Sequence, residues 1–249
     1  SIRYADVKVT KLYVSSEGRD LVQDLCYTWL YLWSNAREGD IVASAREELG
    51  SRRGYTLWKT WSIDSIARKA IDRLKQQLRA KTPKGGVFPA VLAPEVVGVF
   101  VHEAFGHLAE ADLTLSGSVV KDKLGKAVAS PLVTIVDDPH VENAFGTMKY
   151  DDEGVETRKA ILIENGVVKE LMVDREHAAL LDQTPTGNAR AESYRVPPLI
   201  RMRNTYMMPR DYSFEELIED IDYGYYLVAF RGGQANLDGT FQVGVQEAY

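Results

Sequence analysis

Three residues suited to metal chemistry close one apolar run. Residues 97–101 read Val-Gly-Val-Phe-Val, and His102, Glu103, Ala104, Phe105, Gly106 and His107 follow. Neutral imidazole is a good zinc ligand, and a catalytic zinc takes about three protein ligands while keeping one position for water. Such an ion lowers the pKa of its water towards about 7 and polarises a carbonyl. A carboxylate beside the first ligand can accept the water's proton and later hand it to a leaving amine. The pattern points to His102 and His107 as metal ligands and to Glu103 as the general base of a hydrolase. The plain alternative is a pair of packed or surface histidines with no metal.

The spacing sets a condition. In the usual metallopeptidase helix the two histidines are four residues apart and share a face. Here they are five apart, which on a regular α-helix separates them by roughly 140°. One ion cannot bridge that angle. A single wider turn of the π type returns both rings to one side, and Gly106 is placed to ease the distortion. The sequence therefore predicts an irregular turn or a break between His102 and His107.

The elements around this motif are mixed. Residues 6–50 read as extended strands. Val7 and Val9 alternate with Lys8 and Thr10, a long strand covers 20–34, and a third covers 41–49. In the second strand Tyr27, Trp29, Tyr31 and Trp33 share one face, while Cys26, Thr28, Leu30 and Leu32 share the other. The aromatic row reads as a surface packed on a helix or neighbouring domain, with a peptide platform as the sharper alternative. Residues 63–81 form an amphipathic helix capped by Ser62, with Ile63, Ala67, Ala70, Ile71, Leu74 and Leu78 on its apolar face. Its basic residues, Arg73 among them, read as a solvated face.

Thr82-Pro83-Lys84-Gly85-Gly86 breaks the pattern. The expected organisation is 1–81, a linker at 82–86, and 87–249. In the second region the sequence predicts a strand over 87–92 and a helix from Pro94 to about Asp112. A strand over 131–137 follows, then a hairpin of 158–164 with 167–173 around Asn165-Gly166. A short helix over 175–181 and a long shaped loop over 184–198 come next. Ser213 and Glu216 make a capping box for a helix that Gly224 is placed to stop, and the end is extended with a turn at Asp238-Gly239. The expected fold class is α+β, with mixed, largely antiparallel sheets and a histidine-bearing helix.

Composition narrows the function classes. The chain has 249 residues, 45% hydrophobic and 27% charged, with a net charge of −6. This is globular composition, and the acidic balance argues against nucleic acid as a partner. The single cysteine, Cys26, forms no internal disulfide and fits a reducing compartment. No apolar run approaches the about 20 residues of a membrane-spanning helix, so no membrane partner is expected. The chain opens Ser-Ile-Arg and ends on an extended segment, and it is expected to be an internal part of a longer protein.

Read with its neighbours, the motif resembles a known family. His102-Glu103-Ala104-Phe105-Gly106-His107-Leu108-Ala109-Glu110-Ala111-Asp112 closely resembles the motif region of the TldD/PmbA family of metallopeptidases. Asp151-Asp152-Glu153-Gly154, Ile163-Glu164-Asn165-Gly166, Thr184-Pro185-Thr186-Gly187-Asn188, Asn204-Thr205-Tyr206-Met207, Gly232-Gly233-Gln234 and Glu247-Ala248-Tyr249 follow in the family's order. The resemblance is most specific over residues 88–249 and looser over 1–81, which is similar to the family's middle region. Because the histidine motif is present, it implies the TldD-type, catalytically competent branch. It further implies a cytoplasmic zinc peptidase that cuts flexible or unfolded peptides, working as a homo-oligomer or as a TldD/TldE-type heterodimer. The family's zinc is held by the two motif histidines and a distant C-terminal cysteine. Cys26 lies upstream and is no counterpart, so the third ligand is expected beyond residue 249.

Further candidates surround the trio. Glu110 and Asp112 read either as groups that orient the histidines or substitute as a ligand, or as residues at a helix end. Asp151, Asp152 and Glu153 read as a polar turn, with a substrate amine or cation as the alternative. Thr184, Thr186, Gly187 and Asn188 are candidate peptide-binding residues, or an ordinary loop. His140 and His177 lie outside the motif and are not expected to be ligands. Against the enzyme stands a second reading, a non-catalytic interaction or scaffold subunit of a peptidase pair, in which the histidine helix is structural.

Overall fold

Period-two patterning in the first fifty residues produces three long antiparallel strands. In the computed structural model, which describes residues 1–249, β1 (Ile2–Val14), β2 (Asp20–Glu38) and β3 (Ile41–Ser51) form a meander in that order. The register sets Val7 opposite Tyr27 and Trp29 opposite Gly50. Leu30 and Leu32 are buried on one face. On the other, Tyr27 and Trp29 pack edge-on against Phe145 of the second region, with ring centroids 5.3 and 6.4 Å away. Half of the aromatic row is thus a docking surface inside the protein, while Tyr31 and Trp33 stack on each other at 5.3 Å.

A 3₁₀ turn (Gly54–Lys59) leads to α1 (Ile63–Arg79), whose N-cap Ser62 accepts the Ser65 backbone N–H. The face that α1 buries is the predicted apolar one turned towards Arg73: Ala67 and Leu78 are half-buried and Leu78 packs with Leu74. Ile63 and Ile71 are exposed, whereas Ala70, Arg73 and Leu74 are buried, Leu74 against Ala43 and Ala45 of β3. Arg73, expected on a solvated face, is fully buried. Its guanidinium pairs with Glu47 of β3 and, at 2.7 Å, with Glu247 near the chain end. A buried charge is tolerated when paired and hydrogen-bonded. These partners lie 26 residues before and 174 residues after Arg73, so no local pattern announces them.

Residues 82–86 lie in neither helix nor strand, yet the segments on either side touch at several points. Lys11 pairs with Asp152 at 2.7 Å, Arg19 donates to the Gly154 carbonyl at 2.7 Å, and Gln23 bonds both backbone groups of Tyr150.

The second region contains β4 (Ala90–Leu92), α2 (Pro94–Val101), α3 (Ala111–Leu115), β5 (Ile135–Asp137), β6 (Ala160–Glu164), β7 (Val167–Val168), α4 (Arg175–Leu180), β8 (Ala189–Arg190), β9 (Leu199–Ile200), β10 (Thr205–Met207), α5 (Phe214–Ile218), β11 (Tyr225–Ala235) and β12 (Phe241–Ala248). They form sheets of order β10-β5-β6-β7 and β12-β11-β4 and the pair β8-β9. All pairings are antiparallel except β4 with β11. The chain is therefore α+β with largely antiparallel sheets.

The Asn165-Gly166 turn forms as expected, with φ of 48° and 83°, the pair of positive values that a two-residue hairpin requires. The arm after it is much shorter than the predicted 167–173. Met172 donates instead to the Ala109 carbonyl at 2.9 Å, and Val173 donates to Thr186 Oγ1 at 2.8 Å. The Ser213–Glu216 capping box forms on α5. Gly224 lies six residues beyond that helix. A Cβ there would meet the Pro89 carbonyl oxygen at 2.6 Å, so it serves a close backbone approach rather than a helix stop. Val101, Phe105, Leu108, Leu162, Leu171 and Met172 belong to the main core, directly beneath the histidine motif.

Candidate metal centre

α2 begins with Pro94 in its first turn, and Ala93 anchors that start by donating to the Leu227 carbonyl of β11 at 2.9 Å. Val96 and Val101 are buried, so the helix is driven into the core and delivers its C-terminal end there. The expected single helix to Asp112 is not continuous. After Val101 the backbone widens, and His107 N–H bonds the His102 carbonyl five residues back. This is the π-type turn that the five-residue spacing demands. It brings the two imidazoles together, with centroids 4.6 Å apart and planes at 81°.

Gly106 contributes through size rather than through an unusual torsion. Its backbone is helical, at φ −53° and ψ −56°, but a Cβ there would lie 2.3 Å from Met202 Sδ. The thioether fills the space where a side chain would stand.

The helix then stops at Glu110, whose backbone is extended at φ −71° and ψ 119°. Its neighbours bond Met172 from both sides: Met172 N–H to the Ala109 carbonyl at 2.9 Å, and Ala111 N–H to the Met172 carbonyl at 3.1 Å. The Leu108 carbonyl, freed from the helix, accepts Thr114 Oγ1 at 2.8 Å and Ser118 Oγ at 3.1 Å, as buried backbone groups require.

This break turns the Glu110 carboxylate inwards. Glu110 is fully buried, and its Oε2 accepts from His107 Nδ1 at 3.2 Å and from Arg201 Nη1 at 3.3 Å. A carboxylate on Nδ1 fixes the tautomer and leaves Nε2 with its lone pair. The bond holds His107 above the usual histidine range against the opposing effect of burial. For His102 the balance reverses. Burial first, then the neighbouring His107, push it below that range, which favours the neutral imidazole that a metal needs.

Glu103 lies one residue past His102 and packs against β11 at Gly233, where a Cβ would come within 2.5 Å of its Cγ. Asp112 instead accepts the Leu113 N–H at 2.9 Å in the first turn of α3. No group of three or more histidine, cysteine, aspartate or glutamate side chains converges to hold an ion. The donor set within these residues is the histidine pair, with Glu110 buttressing His107 and its second oxygen, Oε1, without a protein partner. Paired imidazoles, one braced by a buried carboxylate, fit a zinc ion.

The remaining candidates frame the site. Thr186 Oγ1 both accepts from and donates to Val173, and Asn188 Nδ2 donates to Asp137 Oδ2 and to the Arg201 carbonyl. Gly187 is at φ +77°, with a Cβ position 2.7 Å from Thr157 Cα, and Thr184 offers its carbonyl to Arg158. Of these four residues only Asn188 bonds Arg201, through both its side chain and its backbone carbonyl, and the side chains of Thr186 and Asn188 are committed within the protein. Asp151 and Asp152 accept the Ala189 and Ala191 N–H groups, and Glu153 accepts that of Arg175. His177 bonds Asp174 at the start of α4. Residue patterns did not single out Arg190, Arg201, Met202 and Gly233 for the site. Only Gly233 carried a usable signal, since glycine within a strand pattern often marks close backbone approach.

Comparison with known proteins places these features in a context. Residues 85–249 match the PmbA/TldA metallopeptidase C-terminal domain, and residues 1–78 match the PmbA/TldA metallopeptidase central domain. The chain is 46% identical over 250 residues to a zinc metalloprotease TldD homolog of Saccharolobus solfataricus, covering 100% of this chain and 56% of that protein. It is 42% identical to a metalloprotease of Methanocaldococcus jannaschii, covering 100% of this chain and 55% of that one. TldE from Thermococcus kodakarensis has a similar fold, with a TM-score of 0.78 at 23% identity over 100% of this chain and 55% of that chain. A Thermotoga maritima protein described as a candidate modulator of a DNA gyrase gives 0.79 at 25% identity, over 93% and 51%. The chain spans about half the length of the curated relatives it matches.

Proposed function

This chain belongs to the TldD/PmbA family of metallopeptidases, and on that premise we propose that it carries the metal-binding and proton-handling part of a site that hydrolyses flexible peptides. The observation that carries the reading is the π turn, which spends regular helix geometry to bring His102 and His107 face to edge at 4.6 Å. Irregular turns of this kind concentrate at functional sites.

His102 and His107 would hold zinc, which supplies Lewis acidity towards a peptide carbonyl and its attacking water. The protein's own contributions follow from its geometry. Burial lowers the pKa of His102, which favours its neutral form. Glu110 fixes the ring of His107 through Nδ1. Glu103 takes a proton on its carboxylate and returns it to the leaving amine, and the β11 backbone at Gly233 limits where that carboxylate can sit. The same strand offers a binding edge: β4 pairs with β11 only at Tyr225, Tyr226 and Leu227, so β11 from Val228 onward has no strand on that side. An extended peptide can add there through backbone bonds with little sequence preference. Folded proteins, which cannot offer such a strand, should resist. A TldE-type second subunit and a cytoplasmic setting belong to this reading, the latter in keeping with the lone free cysteine.

The test uses the full-length protein. About one zinc per chain is expected, lost in His102→Ala and in His107→Ala. Glu103→Gln should keep the metal and lose hydrolysis of an unstructured peptide. Near-normal turnover by Glu103→Gln would overturn Glu103 as the base, and absence of zinc under zinc-replete conditions would turn the assignment towards a non-catalytic subunit of a peptidase pair.

A further inference from the structure

Beside the histidine turn lies an open cavity of about 580 Å³ lined by Arg190, Glu192, Val196, Pro197, Leu199 and Arg201. Its two arginines come from the β8–β9 pair and the residue that follows it. Arg190 is registered opposite Leu199, and Arg201 directly follows β9, its N–H bonded to the Asn188 carbonyl at 2.9 Å, with its side chain lining the same cavity. Both reach the metal-binding turn. Arg190 Nη1 makes a long contact of 3.5 Å to the carbonyl of Met202, the residue packed on Gly106 between the histidines. Arg201 Nη1 bonds Glu110, which bonds His107.

Neither guanidinium is used up. Arg190 is exposed, and its contact to Met202 engages one of its donors. Arg201 directs Nη1 alone to Glu110 and to the Ile200 carbonyl, which leaves Nε and Nη2 for another acceptor. Glu192 lines the same cavity without forming an ion pair to either. Two like charges lining one cavity repel, and an anion between them relieves that repulsion. Planar guanidinium forks suit carboxylates in particular, and the Val196, Pro197 and Leu199 wall suits an apolar stem carrying one.

We propose that Arg190 and Arg201 form a carboxylate subsite beside the metal centre, which selects substrate peptides presenting a carboxylate, whether the free C-terminus or an acidic side chain. The proposal rests on the peptidase reading above. Its effect belongs mainly in KM, since the contact exists in the ground state as well as the transition state.

The experiment uses full-length, zinc-loaded protein and three unstructured peptides of one parent sequence: a free acid with an internal glutamate, its C-terminal amide, and the free acid with the glutamate replaced by glutamine. The parent should be cleaved with a kcat/KM about tenfold or more above the form that lacks the recognised carboxylate. Whichever neutral form suffers identifies the source. Arg190→Ala should collapse that ratio towards one at unchanged zinc content, whereas a merely structural role would lower all three peptides alike. Binding of the same peptides to the Glu103→Gln protein, read by fluorescence anisotropy, should show the same ranking. Equal kcat/KM and equal binding for all three would overturn the subsite. If no peptide is cleaved at all, the peptidase reading fails, and the anisotropy ranking still decides whether the arginines recognise a carboxylate.

Discussion

Glu103 on the π turn lies directly against the backbone of Gly233 on β11: a Cβ added at Gly233 would stand 2.5 Å from Cγ and 2.7 Å from Oε1 of Glu103. No rotamer change of a neighbour relieves this contact without moving the carboxylate. Gly233→Ala should therefore keep zinc and lower kcat on the order of a hundredfold, the scale of a displaced catalytic group. Gly98→Ala is the control, since a Cβ there meets nothing within 4 Å and alanine favours the helix by about 0.5–1 kcal/mol. Zinc content and kcat of the two variants decide the matter; a fully active Gly233→Ala would show that Glu103 tolerates relocation.

The bond from Glu110 to His107 predicts a metal-affinity effect separable from catalysis. Glu110→Gln keeps the shape and removes the charge. It should weaken zinc binding by about 10–100-fold, measured by competition with a chromogenic chelator, with activity recovered at high zinc. An unchanged affinity would assign Glu110 to its Arg201 contact alone.

Gly106→Ala tests the packing under the π turn. The added methyl group collides with Met202 Sδ, and overpacking of this kind costs about 1–3 kcal/mol. Adding Met202→Ala should return part of that loss, giving a non-additive cycle in denaturant unfolding. Strict additivity would place the cost elsewhere.

The buried Arg73 joins α1 to Glu47 and to Glu247 across the two regions. Arg73→Ala should destabilise by about 3 kcal/mol, because the half-buried Glu247 loses its counter-charge and the buried Glu47 keeps only Lys69, at 3.1 Å. Arg68→Ala, on an exposed position of the same helix, should stay within about 0.5 kcal/mol. Comparable thermal shifts for the two would count against the network.

The sequence by itself determined the local and periodic features. The meander over residues 2–51, the start of α1 at Ser62, the Asn165-Gly166 hairpin and the Ser213 capping box all depend on short-range chemistry that recurs wherever those residues stand together. The π turn belongs here too, since a five-residue step from His102 to His107 leaves a regular helix no way to present both rings on one side. Tertiary structure alone decided which partners met. Glu110 became a brace for His107 because Met172, more than sixty residues on in sequence, bonded the backbone on both sides of it and ended the helix. Arg73 left the solvated face because its counter-charges arrive from β3 and β12. Arg190 and Gly233 reached the site along strands, and Arg201 just past one, whose neighbours are set by long-range pairing. Backbone bonds and burial between distant segments are cooperative properties of the whole chain, so no window of sequence around those residues contains them.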